Sequence, residues 1–321
     1  MTVVDAAPEV LILAPDHDVH AIAVGNALIA RGCAAELWDT SALPANDRLS
    51  FDPGGSIYLQ RSDGSAFDIR EVGKVWWRRP RMAEIPDEVT DTEVRAYCKE
   101  ECRRLLLGLG YALGESVINS LHAQTRADSK PYQLNLARQM GLLVPETRIT
   151  NNPDELESAL SEGSWVVKPL RSPDWKLVET RLLDASYCDF VDHLHYGPVI
   201  LQRAILGGRD IRATVVGEQI FCACLDPNTR LDHVDSRLDF TSPWIDTTIP
   251  SALEAQLVQF VAELGLQYGA IDLKEDADGQ LYFLEINPTG QFLFAEVDSG
   301  ASIVNAFADL LFDESRAYKC S

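Results

Sequence analysis

Apolar and polar positions in the first third of the chain follow two periods. Residues 18–30 and 87–113 carry apolar side chains at helical spacing. Short apolar runs predict strands at residues 9–14, 36–38, 56–60, 74–77 and 117–119. Strands that alternate with helices predict an α/β unit over residues 1–119, opening with a βαβ motif.

The rest of the chain has a different order of elements. Helices are predicted at residues 130–140, after Asn152, and at 184–194, 251–264 and 301–311. Strands are predicted at 147–150, 165–169, 198–203, 210–216 and 219–225, the last two joined by a Gly217-Glu218 turn. We therefore expect two α+β units, residues 120–203 and 204–321.

Residues 269–290, with the sequence GAIDLKEDADGQLYFLEINPTG, form the most informative motif. Two runs of strand-forming residues flank the turn sequence DADG, which predicts a β-hairpin. Glu285 and Asn287 share one face of their strand, and pairing across the hairpin would place Asp272 on the same face. Close carboxylates repel unless a cation lies between them, and such oxygen donors suit Mg²⁺. From this stretch alone, a magnesium site and a solvated strand face are both open.

Other charged positions do not match their surroundings. Lys168 ends the apolar run WVVK, where an unpaired cation is costly, so we expect it to meet an anion. Lys130 opens a helix, where the macrodipole favours anions, although a solvated lysine is the simpler interpretation. Asp210 and Arg212 lie on one strand face, which fits an internal ion pair as well as a ligand site.

Composition narrows the class of protein. The chain has 321 residues, of which 46% are hydrophobic, enough for a core in two or three lobes. A formal charge of −21 repels phosphate backbones, so no nucleic-acid partner is expected; ATP is not excluded, because its charge is neutralised locally. The apolar runs are too short to span a bilayer, and the first residues lack a basic segment, so no membrane partner is expected. Seven cysteines without framework spacing fit reduced thiols and a cytoplasmic location.

Several familiar signatures are absent or weak. The first strand-to-helix turn, PDHD, has no glycine, which disfavours NAD, and the chain lacks H-R-D and D-F-G kinase sequences. The six histidines show no metal spacing and are all expected at the surface. Arg78, Arg79 and Arg81 would either meet an acidic peptide or carboxylate substrate or form an ordinary surface cluster.

Taken in chain order, these motifs resemble the ATP-grasp ligases. The resemblance runs from about residue 120 to the C-terminus and includes, more loosely, VWWRRP at 75–80. The sequences EINPTGQF and DIRATVVG are more similar to the microviridin-type peptide cyclases than to the RimK-like ribosomal-protein glutamate ligases. The motifs that carry the resemblance are Lys130, Lys168-Pro169, QRAI at 202–205, DIR at 210–212, Asp272 and EINP at 285–288.

The resemblance implies a fold and a reaction. The fold would have an N-terminal Rossmann-like lobe, followed by central and C-terminal α+β lobes with ATP between them. In the reaction a carboxylate becomes an acyl phosphate, which an amine or hydroxyl then attacks. Phosphoryl transfer needs positioning and charge neutralisation far more than a protein nucleophile, which agrees with the lack of a nucleophile signature.

The resemblance also implies a role for each matched residue. Lys130 and Lys168 would contact the nucleotide phosphates, and Asp210 would approach the ribose. Arg212 and Arg237 would steady the transferred phosphoryl group or the acyl phosphate. Mg²⁺ would be held by Asp272, Glu285 and Asn287. The backbone that would line the adenine comprises Gln202, Arg203, Ala204 and Ile205.

Two segments depart from the family pattern. The loop LRSPDW at 170–175 contains no glycine, so its coverage of the phosphates would differ. Arg203 stands where an acidic residue is common in the family, with little expected consequence because contacts to adenine there are mostly made by the backbone.

The substrate is less constrained than the reaction. Our leading hypothesis is an enzyme that closes Asp or Glu side chains of a ribosomally made precursor peptide onto Ser, Thr or Lys, as esters or amides. The polar segment 225–249 would form its acceptor surface, unless that segment is an ordinary surface insertion. A ligase that adds an amino acid to a small molecule or protein tail, and a non-catalytic nucleotide-binding partner subunit, are the alternatives. The oligomeric state stays open, with a homodimer among the options.

Overall fold

The computed structural model of the chain describes residues 5–171, 178–231 and 234–312. Its N-terminal unit alternates strands and helices. Its elements are β1 (Val10–Leu13), α1 (Val19–Ala30), β2 (Ala35–Trp38), β3 (Arg48–Phe51), β4 (Ile57–Gln60), β5 (Ala66–Asp68), β6 (Lys74–Trp77), α2 (Thr92–Leu113) and β7 (Val117–Ile118). Strands β2, β1, β6 and β7 form a parallel sheet in that order, and β3 to β5 form a small antiparallel sheet. The predicted βαβ opening is confirmed, with Asp18 capping α1 by accepting the N–H of Ala21.

The central unit has an antiparallel sheet. Its elements are α3 (Leu121–Asp128), α4 (Lys130–Gln139), β8 (Thr147–Thr150), α5 (Pro153–Ser161), β9 (Trp165–Lys168), β10 (Arg181–Leu182), a 3-10 helix (Ala185–Tyr196) and β11 (Val199–Arg203). The strands follow the order β10, β9, β11, β8. Asn152 caps α5, and Pro153 lies in the first turn, where its missing N–H is not needed.

The C-terminal unit contains a five-stranded antiparallel sheet in the order β14, β13, β12, β15, β16. Those strands and their helices are β12 (Asp210–Val216), β13 (Gln219–Leu225), β14 (Trp244–Asp246), α6 (Ser251–Glu263), β15 (Tyr268–Glu275), β16 (Leu281–Asn287), α7 (Leu293–Ser299) and α8 (Ile303–Leu311). The predicted hairpin at 269–290 is confirmed as β15 and β16.

Each face of this five-stranded sheet contributes to a hydrophobic core. On one face, Ala270 belongs to a hydrophobic core with Trp76 of β6 and Phe307 of α8, so the N-terminal unit shares a core with the sheet. On the other face, Ile271 belongs to a core with Phe260 of α6 and Leu134 of α4. Helices α3 and α4 therefore pack on the C-terminal sheet although they precede β8, and the boundaries 1–119, 120–203 and 204–321 stay a prediction.

Some elements differ from the predicted ones. Helix α2 begins at Thr92 and not at residue 87, because Asp91 accepts the N–H groups of the two residues that follow Thr92 and so fixes the start. The helix predicted at 184–194 is a 3-10 helix whose buried residues, Val191 and Leu194, lie one 3-10 turn apart. Strands β3, β5, β10 and β14 were not predicted, because such short runs give too little periodicity.

Within the described ranges, the helices include none that is both long and apolar enough to cross a membrane.

Candidate active site

A cavity of about 580 Å³ lies between the sheet of the central unit and the five-stranded sheet. Its wall brings together residues that are far apart in sequence. All the predicted site residues except Arg212 line it: Lys130, Lys168, Gln202, Arg203, Ala204, Ile205, Asp210, Arg237, Asp272, Glu285 and Asn287.

The oxygen-bearing residues of the hairpin share one face, as predicted. Asp272 lies directly opposite Glu285, and Ala270 lies opposite Asn287. The side chains of Asp272 and Glu285 are each 28% exposed, so they face the cavity rather than open solvent. Asn287, at the end of the same face, is exposed, so a solvated face is disfavoured for the two carboxyl groups only.

Cationic side chains balance both carboxylates. The Lys130 Nζ atom lies 2.5 Å from Glu285 Oε2, and its side chain is only 17% exposed, so the interpretation of Lys130 as a solvated lysine is wrong. Arg212 Nε lies 3.1 Å from Asp272 Oδ1, an ion pair without hydrogen-bond geometry. Arg212 thus touches the site through Asp272 while its guanidinium lies over the Phe294 ring.

The surroundings shift the pKa values of the two carboxyl groups in opposite directions. Burial acts to raise the pKa of Glu285, but the ammonium groups of Lys130 and Lys168 outweigh it and bring that pKa to about 2. Burial also raises the pKa of Asp272, and here it prevails over the opposing charge of Arg212.

The donor chemistry of this face fits a magnesium ion. Two carboxyl groups and one amide oxygen are hard donors of the kind that Mg²⁺ prefers. The Oδ1 atom of Asn287 also accepts the Thr289 N–H at 2.9 Å, which fixes the orientation of the amide.

Lys168 is held by a side chain to which we gave another role. Its Nζ donates to Gln202 Oε1 at 2.9 Å, and Gln202 Nε2 donates to Thr147 Oγ1 at 2.9 Å. Gln202 is buried, and burial lowers the pKa of Lys168, partly offset by Glu285. Sequence reasoning assigned Gln202 only a backbone role, whereas its side chain positions the lysine.

The segment predicted to line the adenine, residues 202–205, has backbone N–H groups that already donate hydrogen bonds within the protein. The Arg203 N–H donates to Glu146 O at 2.8 Å, and the Ala204 N–H donates to Ser164 O at 3.0 Å. Among the described residues, the N–H of Ile205 has no such acceptor. The side chain of Arg203 stacks 4.4 Å from the Trp165 ring centre, so this segment offers the cavity its backbone.

Asp210 and Arg212 do not pair with each other, so of the two open interpretations the internal ion pair is wrong. The Asp210 carboxylate is paired elsewhere: its Oδ2 atom is 2.8 Å from Lys274 Nζ and 3.0 Å from Arg230 Nη1. Antiparallel pairing places Lys274 directly opposite Asp210 and Asp272 directly opposite Arg212. Each acid and base therefore finds its partner across the sheet rather than along the strand.

Arg237 lines the cavity and is anchored by Asp235. The Arg237 Nε and Nη2 atoms donate to the two oxygens of Asp235 at 2.8 and 2.5 Å. The positive charge of Arg237 also acts to lower the pKa of both Asp272 and Glu285.

Two N-terminal residues that were expected at the surface are buried. Arg78 is 1% exposed, and its Nη1 atom donates to Thr289 O at 2.6 Å and to Gly290 O at 3.0 Å. His20 is 6% exposed, and its Nε2 atom accepts the N–H groups of Phe292 and Leu293. The surface interpretation is wrong for both residues.

The predictions for the other arginines, the other histidines and the glycine-free loop have different outcomes. Arg79 and Arg81 are exposed, and Arg81 pairs with Asp39. The histidines predicted at the surface and found there are His17, His122, His193 and His195. His233 and most of the glycine-free loop, residues 172–175, lie outside the described residues.

Asn119 is a buried polar residue that no sequence pattern singles out. Its Nδ2 atom donates to Tyr268 O at 2.8 Å and to Pro288 O at 2.9 Å. Its Oδ1 atom accepts the N–H groups of Gln267 and Tyr268 at 2.7 and 3.0 Å. Asn119 thereby joins the end of the N-terminal unit to both strands of the hairpin.

Solved structures of similar fold cover almost the whole chain. The macrocyclase MdnC of Microcystis aeruginosa MRC, crystallised with the precursor peptide MdnA, is 29% identical, with 95% of this chain and 99% of MdnC aligned and a TM-score of 0.85. The ATP-grasp ligase PsnB, solved with a phosphomimetic variant of its minimal precursor, Mg and ADP, is 25% identical, with 97% of this chain and 100% of PsnB aligned and a TM-score of 0.79.

Sequence comparison gives a relative that matches only part of the chain. A probable α-L-glutamate ligase of Sodalis glossinidius (strain morsitans) is 27% identical over 183 residues, which span 54% of this chain and 61% of that ligase. No protein-family model matches the chain.

Proposed function

We propose that this chain, which belongs to the ATP-grasp ligases and within them to the peptide-cyclase branch, uses ATP to join a carboxylate to an amine or hydroxyl of a precursor peptide. One observation carries the proposal: the ammonium groups of Lys130 and Lys168 and the Arg237 side chain line a single cavity between two sheets together with the hairpin carboxyl groups, one of which pairs with Arg212. Such a cavity can neutralise a polyphosphate while keeping a metal site beside it.

The nucleotide would lie between the central and C-terminal sheets. Lys130 and Lys168 would contact its phosphates, and the Gln202 side chain would keep the Lys168 ammonium in place. The N–H of Ile205, which has no acceptor among the described residues, suits an adenine acceptor nitrogen. Asp210 would approach the ribose, although Lys274 and Arg230 already occupy one of its oxygens.

Asp272, Glu285 and Asn287 would hold Mg²⁺. When bound, that ion supplies charge neutralisation between phosphate groups. The cations beside the carboxylates keep Glu285 ionised, which favours its use as a ligand.

The chemistry needs no nucleophile from the protein. A carboxylate oxygen of the peptide attacks the γ-phosphorus of ATP, and ADP leaves as the acyl phosphate forms. A hydroxyl or amine then attacks the acyl carbon, loses its proton and expels inorganic phosphate. Arg212 and Arg237 would stabilise the negative charge of both steps, and their carboxylate partners orient them beforehand.

A precursor peptide is the favoured substrate because MdnC and PsnB were both solved with precursor peptides. The similarity to a probable α-L-glutamate ligase supports a second candidate, the addition of an amino acid to an acceptor. We place the reaction in the cytoplasm, where the described cysteines, all free thiols, would stay reduced.

Mass spectrometry separates these functions. The protein would be incubated with ATP, Mg²⁺ and synthetic peptides rich in acidic and hydroxyl residues, chosen from short genes beside its own. Loss of one water per new bond indicates cyclisation, whereas a gain of one residue mass indicates amino-acid ligation. Absence of ATP turnover with every peptide and amino acid offered would contradict an enzymatic function.

A matched pair of variants ties the activity to the cavity. Lys168→Met removes the ammonium group that Gln202 holds, so ATP-dependent product formation should be lost. Lys99→Met makes the same chemical change on the exposed surface of α2 and should leave product formation unchanged. Equal activity of the two variants would overturn the assignment of the cavity.

A further inference from the structure

One carboxylate connects the central unit to the C-terminal unit at the edge of the cavity. Asp235 Oδ2 accepts the Thr180 N–H at 2.8 Å. The same carboxylate accepts the backbone N–H of Arg237 at 3.1 Å in addition to its guanidinium. Asp235 is only 6% exposed, so both oxygens are used within the protein.

The two sides of this contact belong to different sheets. Thr180 immediately precedes β10, at the edge of the central sheet, whereas Asp235 lies in the segment between β13 and β14 of the C-terminal sheet. Thr180, Asp235 and Arg237 all line the cavity. The hydrogen bond therefore joins the two walls between which the nucleotide would lie.

Asp239, four residues further along, shows what a purely local role would be. It is also buried, and it accepts the N–H groups of Leu231, Thr241 and Ser242, all within its own segment. Asp239 shapes the loop, while Asp235 extends a bond out of the loop to the other wall. An ionised, buried carboxylate with a guanidinium partner makes such a bond stronger than a neutral one.

We propose that Asp235 is a positioning residue that couples closure of the cavity to the placement of the Arg237 guanidinium. The functional part of this inference rests on the proposed function, since it takes Arg237 to act on the transferred phosphoryl group. When the walls separate, Thr180 leaves the carboxylate; when they approach, the same carboxylate holds both the opposite wall and the arginine. In the closed arrangement, one buried carboxylate therefore holds both the Thr180 N–H and the Arg237 guanidinium.

Hydrogen exchange tests the coupling directly. Asp235→Ala should speed exchange at the Thr180 amide by roughly ten- to a hundredfold, the range for losing a charge-assisted hydrogen bond. Asp239→Ala is the matched control and should leave Thr180 exchange at the wild-type rate. The milder Asp235→Asn keeps one acceptor oxygen and the volume of the side chain, so it provides an intermediate case should the alanine variant not fold.

ATP turnover supplies the second readout. Asp235→Ala should raise KM for ATP and lower kcat, because closure and the arginine are both affected. Arg237→Gln should lower kcat and leave Thr180 exchange unchanged, since Asp235 still accepts the Thr180 N–H. Unchanged Thr180 exchange in Asp235→Ala, or an equal rise in Asp239→Ala, would overturn the inference. A wild-type protein that turns over no ATP, yet shows the expected exchange pattern, would overturn the proposed function while leaving the contact between the walls intact.

Discussion

Acidification is expected to destabilise this protein through His20. The imidazole Nε2 atom accepts the Phe292 N–H at 3.1 Å, so this nitrogen must be unprotonated in the folded chain. Burial lowers the pKa of His20 to about 4, and the nearby positive charge of Arg78 adds to the shift. The carboxylate of Asp18 opposes the shift without cancelling it.

The sign and size of the effect follow from linkage. Because the pKa in the folded chain lies below the ordinary value of 6.5, the unfolded chain binds more protons as the pH falls from 6.5 toward 4. The contribution of His20 to stability is therefore complete above pH 6.5 and is lost on acidification. With these two pKa values, the free energy of unfolding should fall by about 2 kcal/mol between pH 7 and pH 5.

Urea unfolding at the two pH values measures this loss. His20→Gln keeps an acceptor oxygen for the backbone N–H groups but does not titrate, so wild type should lose about 2 kcal/mol more than this variant on acidification. His17→Gln is the control, because His17 is exposed and should respond as wild type does. Equal losses in wild type and His20→Gln would refute the assignment of the proton to His20.

Three further predictions concern the site and its supports. Gln202→Leu removes the acceptor that holds Lys168, so KM for ATP should rise roughly tenfold in a titration of initial rates, and an unchanged KM would contradict the positioning role. Asn119→Ala leaves several buried backbone groups without partners and should lower the free energy of unfolding by about 2 to 4 kcal/mol in urea, whereas a loss within experimental error would show that water replaces the amide. Glu285→Gln should raise the Mg²⁺ concentration for half-maximal turnover about tenfold or more, and an unaltered requirement would remove this residue from the metal site.

The hairpin and its carboxylates were predictable because the information is local. Strand alternation places Glu285 and Asn287 on one face, and a turn rich in Asp and Gly predicts the hairpin. The pairing next to the turn, Leu273 with Phe283, shifts by one residue between Asp272 and Leu273, and only this irregularity brings Asp272 opposite Glu285. The need of Lys168 for a partner was also predictable, since an ammonium group at the end of an apolar run is costly to leave unpaired. Sequence reasoning could identify that need but not that Gln202 meets it.

Long-range partners could not be predicted by such rules. Asp210 and Arg212 are two residues apart on one strand, yet each is paired with a residue of the adjacent strand. The reason is distance, because residues directly opposite each other on paired strands lie closer together than residues i and i+2 of one strand. Arg78 is 211 residues from Thr289, whose carbonyl it contacts, and a run of arginines gives no sign that one of them is buried. A charge in a surface-like sequence becomes buried only when another unit supplies acceptors.

These unpredicted contacts share a target, which gives the N-terminal unit a role in the site. Arg78 holds the carbonyls of Thr289 and Gly290, Asn119 holds that of Pro288, and His20 accepts the N–H of Phe292. All of these bonds fall on the segment that directly follows Asn287. Because a buried polar group is costly to leave without a partner, the segment has little freedom while the N-terminal unit is docked. Loosening that unit should therefore displace the proposed magnesium ligand at Asn287 before it disturbs Lys168 on the opposite wall of the cavity.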